Sequence, residues 1–324
     1  MELVNRTIII WAVVAAAVIG AFAITVGALN STLYSSSGFV KSYLDALESK
    51  DAPAALELAG SGERNNVTGA MLESSAMSDL DAVEFVSESR FPDGVQRVVF
   101  SYVAGGKPGQ SSFDVQQAGS VLGLFSNWSF ATAPYSVVQL SVLNSQDFTA
   151  NGVDLSTPDQ GSALPLVVFT PSAITVTHES TFLTAVPLLV NATQPGASVV
   201  AALDVRANSA FVDQVQGDID GFLDTCTTQT VLLPTGCPFG QQISNRIAST
   251  PEWSMSEYPA VSLVPGAEPG SWLMPATNAS ARLTVDVQSL FDGTTSAFDE
   301  DVPFSVSYLV TFVGDDQVLI TAQR

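Results

Sequence analysis

At 324 residues the chain has the length for two or three domains of roughly 100 to 150 residues each. Hydrophobic residues make up 46% and charged residues 13%, with Ser, Thr, Ala, Val and Gly filling much of the rest, which excludes a disordered chain and favours β structure. A net charge of −21, carried against three lysines and eight arginines, excludes nucleic acid as a partner and repels anionic lipid headgroups.

The first predicted element is residues 8–28, IIIWAVVAAAVIGAFAITVGA, inside a stretch from Thr7 to Val40 that holds no charged residue. As a helix it rises about 31 Å, the thickness of the hydrocarbon core of a bilayer. This gives a cytoplasmic tail over 1–6 and a transmembrane helix over 7–28. Arg6 and the terminal amine place the N-terminus inside, with Glu2 and Lys41 weighing against that orientation. The alternative is a secretory signal cleaved after Val26-Gly27-Ala28, although an apolar core of about 7 to 15 residues is usual for a signal. Both readings export the rest of the chain.

Residues 29–37 are serine-rich and read as a linker. Phe39, Val40, Tyr43, Leu44 and Leu47 then recur at helical spacing. A second short helix follows, with Asp51 as its cap, Pro53 in its first turn and Gly60 at its end. The runs DAVEFVSESR, VQRVVFSYV, SSFDVQQ and LGLFSNWSFA come next as strands, so residues 38–133 form a helix-then-sheet α+β domain. From Ser136 the pattern is β alone, with an Asn151-Gly152 hairpin turn, and predicts a small all-β module over 134–197.

In the last part, 198–324, a helix from about Ser209 to Cys226 carries an apolar stripe of Phe211, Val215, Ile219, Phe222 and Cys226. Cys226 and Cys237 are the two cysteines of the chain, separated by a Pro-Gly turn. Three states are open to them. A disulfide fits the returning turn, buried free thiols need no partner, and a metal or redox site wants further ligands or a basic setting, which His178, Asp220 and Asp224 do not supply. The disulfide accords with an exported chain. Strands near EWSMSEYPAVSLV, GSWLM, ARLTVDVQSL, FSVSYLVTFV and QVLITAQ complete a second helix-plus-sheet domain.

The opening FVKSYLDALESKDAPAALELA, with a later strand ending in Trp128 and Phe130, resembles the cystatin-like domains related in fold to nuclear transport factor 2, over about residues 37 to 132. That resemblance implies helices packed on a curved sheet to make a cone, and the last domain is similar in its order of elements. The NGVDL and FTPSAITVTHES segments look like immunoglobulin-like or PEGA-type modules of envelope proteins. The whole order resembles the teicoplanin-resistance-associated membrane proteins (TcaA-like), without their N-terminal zinc ribbon.

Catalytic signals are sparse. There is no G-x-S-x-G elbow and no S-x-x-K pair, and the one Gly-Lys is followed by Pro108, which spoils a phosphate loop. His178 shares a strand face with Ile174 and Val176 and reads as structural. Asp218 and Asp220, and again Asp299, Glu300 and Asp301, lack the spaced pattern of a calcium loop and read as solvated surface. The aromatics Trp128, Phe130, Trp253, Tyr258 and Trp272 either line cavities that contact a ligand or partner, or fill cores. No catalytic residue, metal or cofactor is expected.

The sequence thus predicts a single-pass protein of the plasma membrane with extracytoplasmic domains, in an envelope of bacterial type. It acts as an interaction or scaffold module for an envelope protein or cell-wall component, or as a receptor for a small or wall-derived ligand held in a cone. Carboxylate-only catalysis is the remaining alternative.

Overall fold

The computed structural model describes residues 2–60, 69–121, 123–313 and 317–323. It is an α+β chain with an apolar N-terminal helix and several antiparallel sheets. Helix α1 (Glu2–Ser31) contains a stretch, Trp11–Ser31, that is long and apolar enough to cross a membrane and is not buried within the protein. Four residues separate it from α2 (Ser36–Glu48), where Ser35 caps by accepting from Gly38 N. Val40, Tyr43, Leu44 and Leu47 are buried, a stripe at the spacing that one helix face requires. In α3 (Ala52–Ala59), Asp51 accepts from Ala54 N, Pro53 fits the first turn, and Gly60 leaves at a φ of 74°. That backbone angle suits a glycine and ends the helix.

Gly38 lies where α1 turns into α2. A Cβ at this position would collide with the carbonyl oxygens of Thr32 and Leu33. Gly38→Ala is therefore expected to open this joint, at a cost of about 1–3 kcal/mol as for other overpacked sites. Faster amide exchange across residues 32–38 would report it.

After two single-turn 3-10 segments, Ala70–Leu72 and Ser74–Ala76, the chain builds a four-stranded meander. Its strands β1 (Leu80–Arg90), β2 (Gln96–Ala104), β3 (Lys107–Val121) and β4 (Phe125–Phe130) lie side by side in chain order, each antiparallel to the next. Next come β5 (Tyr135–Leu143), β6 (Asp147–Ala150), β7 (Val153–Ser156), β8 (Ala163–Phe169), β9 (Ser172–Thr177), β10 (Leu183–Ala185), β11 (Leu188–Ala192) and β12 (Ser198–Ala207). They form two four-stranded sheets, ordered β10-β12-β5-β8 and β11-β9-β6-β7. Asn151 and Gly152 both adopt positive φ, 46° and 82°, as a two-residue hairpin of the twisted kind demands. Asn151 does more than turn the chain: its side chain donates to Ala76 O and Ala173 O and accepts from Thr175 N.

The final part holds α4 (Ser209–Thr227), β13 (Arg246–Ile247), β14 (Glu252–Glu257), β15 (Val264–Pro265), β16 (Ser271–Gln288), β17 (Thr295–Phe312) and β18 (Val318–Ala322). The sheet runs β13-β16-β17-β18, and β14 and β15 also pair with β16. Two expectations are corrected here. GSWLM and ARLTVDVQSL are one continuous strand, because a bulge between Met274 and Thr277 lets the ladder pass Pro275. Strand β17 begins well before FSVSYLVTFV and takes in Asp299, Glu300 and Asp301, which stay exposed. Arg282 on β16 pairs with Asp299 at 2.8 Å and Asp301 at 3.4 Å, offsetting the charge of that run.

The chain divides into two compact units. The first comprises Met1–Ser141, Asp147–Thr177 and Pro187–Leu203, and the second Val142–Gln146, His178–Val186 and Asp204–Arg324. The core of the first unit is continuous from the helices into the strands beyond them, joining Val40, Tyr43, Leu44, Phe100, Phe113, Tyr135, Val167 and Phe169.

Candidate binding groove in the C-terminal unit

The site begins with the stripe on α4. Asn208 caps the helix by accepting from Phe211 N at 3.0 Å, and Phe211, Val215, Ile219, Leu223 and Cys226 are buried. Phe222 is not: it is 42% exposed, and Leu223 takes the buried place assigned to it from the sequence. Steps of four, four, four and three hold a helical stripe together, whereas Phe222 is turned about 100° from Leu223.

That rotation gives Phe222 a different role. With Asp218 and Ile219 from the same helix, Tyr308 from β17, and Val318, Ile320 and Ala322 from β18, it lines an open groove of about 410 Å3. The volume lies within the roughly 300–1,000 Å3 usual for small-molecule sites. Burial pushes the Tyr308 phenol above its ordinary pKa, so it stays a neutral hydrogen-bond donor. Asp218 at the rim accepts from Gln214 Nε2 at 3.1 and 3.2 Å. The lining is thus apolar with one phenol and one engaged carboxylate, suited to contact and poor in groups that could activate a nucleophile.

On the same helix, Gln216 donates to Asp220 Oδ1 at 2.8 Å and to Pro259 O at 3.0 Å, and accepts from Val261 N at 3.0 Å. This strap holds the loop after β14 against α4. Beside it Tyr258 donates to Asp224 Oδ1. That hydrogen bond, with some burial and the charges of Asp224 and Asp220, pushes the Tyr258 pKa up to about 12. A folded-state value raised above the ordinary 10 adds stability that is complete below pH 10 and lost as pH rises through about 12. The wild-type unfolding midpoint is expected to fall between about pH 9.5 and 11.5, and Tyr258→Phe should fall less over the same range. Urea titrations at the two pH values give the comparison.

Cys226 and Cys237 form a disulfide with a Cα separation of 5.8 Å. The loop it closes is further held by Gln229, which donates to Thr235 O and accepts from Thr235 N at 2.8 Å.

No protein-family model, curated protein or solved structure matches the chain. The geometry alone therefore carries the functional reading.

The five aromatics singled out from the sequence do not line the groove. Trp128 is half-buried and donates to Tyr34 O at 2.8 Å, and Phe130 packs with Phe39, Tyr43 and Phe113. Trp253 is buried on Phe239 and donates to Val231 O at 2.8 Å. Trp272 is buried with its ring edge-on to Phe211. Tyr258 is partly exposed and engaged with Asp224. His178 is buried, as are Ile174 and Val176. Among the described residues no group of three or more His, Cys, Asp or Glu side chains is placed to hold a metal ion. In the first unit a void of about 20 Å3, room for about one water, lies where Leu47 of α2 and Met71 and Met77 of the 3-10 region meet Phe169, Ser172 and Ile174 of β8 and β9.

Proposed function

We propose that the chain is a single-pass, membrane-anchored extracytoplasmic protein of a bacterial-type envelope, acting through non-catalytic contacts as an interaction or scaffold module. The observation that carries this reading is a disulfide in a chain that opens on an apolar helix of spanning length, because a stable disulfide belongs to an oxidising compartment. The packed core of the first unit supports contact over cavity binding. In this reading the two helix-plus-sheet parts are cystatin-like modules, with an immunoglobulin-like module between them and a domain order resembling the TcaA-like proteins.

A receptor for a small or wall-derived ligand is the second reading, and the groove beside α4 favours it. Phe222→Ser separates binding from folding. Its side chain is largely exposed, so stability should stay within about 0.5 kcal/mol, while capture of a partner or ligand falls. Cross-linking in intact cells with mass spectrometry reads the capture, and a reproducible protein neighbour lost in the variant supports the scaffold. External protease that spares the body of the protein in intact cells, or free thiols at Cys226 and Cys237 in unreduced native material, would overturn the envelope reading.

A further inference from the structure

Strand β18 leaves one edge of the C-terminal sheet open. It is the outer strand of the order β13-β16-β17-β18 and, among the described residues, pairs with β17 alone. The ladder fixes which of its backbone groups are turned outward. Val313 N donates to Gln317 O at 2.8 Å at one end, and Gln323 N donates to Ser307 O at 2.8 Å at the other. In an antiparallel pair the bonded positions recur at every second residue, so Leu319 and Thr321 direct their N–H and C=O groups at Thr311 and Leu309. Those of Val318, Ile320 and Ala322 point away from β17, along the free edge.

The same residues line the groove with Phe222, because residues two apart on a strand share a face. On α4, Gln216 is turned toward Pro259 and Val261, after β14, whereas Asp218 and Phe222 meet β18. The groove therefore opens beside the free edge, where an added strand finds backbone partners and side-chain space together. The outer strand of the meander shows the contrast: β1 has two bulges and carries Asp81, Glu84 and Glu88, devices that discourage pairing. Strand β18 reads Val-Leu-Ile-Thr-Ala, with no charge, proline or bulge.

Charge selects what is added. Helix α4 carries Asp213, Asp218, Asp220 and Asp224 and no Lys or Arg, and the C-terminal unit contains no lysine. Arg282 is held by Asp299 and Asp301. Asp218 at the groove accepts from the neutral Gln214 amide and, among the described residues, pairs with no cation. A second copy would bring a further net charge of −21, whereas a basic segment is drawn to this rim.

We propose that the β18 edge takes an extended segment of a cationic partner protein as an added antiparallel strand. The segment bonds through its backbone to Val318, Ile320 and Ala322, sets apolar side chains at alternate positions against Phe222, and carries Lys or Arg on that same face beside Asp218. Main-chain bonds supply affinity, and the groove with its carboxylate supplies selectivity. The inference rests on reading this groove as a contact site and names the chemistry of what it contacts.

The test uses the full chain, disulfide intact, in phosphatidylcholine nanodiscs, with the capped, fluorescein-labelled peptide Lys-Thr-Val-Thr-Val-Thr-Val-Thr-Lys read by anisotropy. N-methylation of its valines, which face the β18 backbone, is expected to weaken binding about tenfold or more, and N-methylation of its central threonines to change it less than about twofold. Phe222→Ser should weaken binding about tenfold. Asp218→Asn, or Glu in place of Lys in the peptide, should weaken it a few-fold and flatten its salt dependence. Residue-level amide exchange should slow at 318, 320 and 322 on binding, and stay as slow as before at 319 and 321. Equal loss from either methylation, or unchanged exchange at 318, 320 and 322, overturns the strand addition. A Glu-flanked peptide that binds as well overturns the cationic partner. Absence of peptide binding, with Phe222→Ser still removing a cross-linked neighbour in cells, overturns the strand addition and leaves the contact reading standing; if Phe222→Ser changes neither, both fall. Protection at 318, 320 and 322 that rises with protein concentration without peptide assigns the edge to a second copy and also overturns the proposal.

Discussion

Tyr43→Ala is expected to destabilise the N-terminal unit by about 3–5 kcal/mol, the range for removing a large buried aromatic. A lower urea midpoint at unchanged slope would show it. Tyr43 is fully buried in α2, and its ring meets Phe113, Phe130 and Phe169 edge-on, with centroids 6.1, 5.2 and 6.5 Å away. Phe113 and Phe130 belong to the meander, and Phe169 ends β8, so one side chain joins the helix to two sheets. Its hydroxyl donates to Thr170 O at 3.0 Å and Pro134 O at 3.1 Å, where the meander passes into the next strands. Ser136 and Thr170 hydroxyls bond one another there at 2.7 Å, both buried.

Tyr43→Phe separates the two contributions. It keeps the ring and deletes the hydroxyl; Pro134 O still accepts from Thr170 N, while Thr170 O loses the phenol. The expected cost is about 1–3 kcal/mol, that of a buried acceptor left without its donor. Burial holds the Tyr43 pKa well above the ordinary 10. Its contribution is therefore present below pH 10 and is lost as pH rises through the higher folded value, so the gap between wild type and Tyr43→Phe should narrow only in strong alkali.

Local chemistry made parts of this fold readable. The Asp51 cap, Pro53 and Gly60 bound α3, and the Asn151-Gly152 turn fixes β6 to β7, because each is decided by residues within a few positions. Long-range pairing hid other parts. Pro275 reads as a strand break, yet the partner strand and a bulge carry β16 past it. The acidic run at 299–301, read as solvated surface and exposed as expected, lies within β17 because Arg282 on the neighbouring strand is brought opposite it. The groove was hidden for a related reason. Its lining combines Phe222, which differs from Leu223 only in helical phase, with Tyr308 and Ile320 from strands about a hundred residues on. A spacing test that demanded steps of four from Phe211 would have moved the stripe to Leu223 and left Phe222 outside it. The bulky tryptophans drew attention instead, and size is a better guide to core than to contact.

The Cys226→Ser, Cys237→Ser double variant is expected to lose about 3 kcal/mol in the C-terminal unit, the chain-entropy value for a loop of this size. The thermal midpoint should fall on the order of 10 °C. The double variant is preferred to either single one, which leaves a thiol able to pair between molecules. Several native contacts persist without the bond. Gln229 still brackets Thr235, Trp253 still donates to Val231 O, and Phe239 still packs on Trp253 and Phe304. The loss should therefore come mainly from the greater freedom of the unfolded chain, with amide exchange accelerating at the loop and in the last turn of α4. The first turns of α4, held by Asn208 and by Phe211 among Phe182, Trp272 and Phe312, should exchange as before. Reduction of the wild-type protein should reproduce the midpoint of the double variant. A lower midpoint in the variant would show that the two serines themselves disturb the loop, since Cys226 is buried and a hydroxyl there would need a partner.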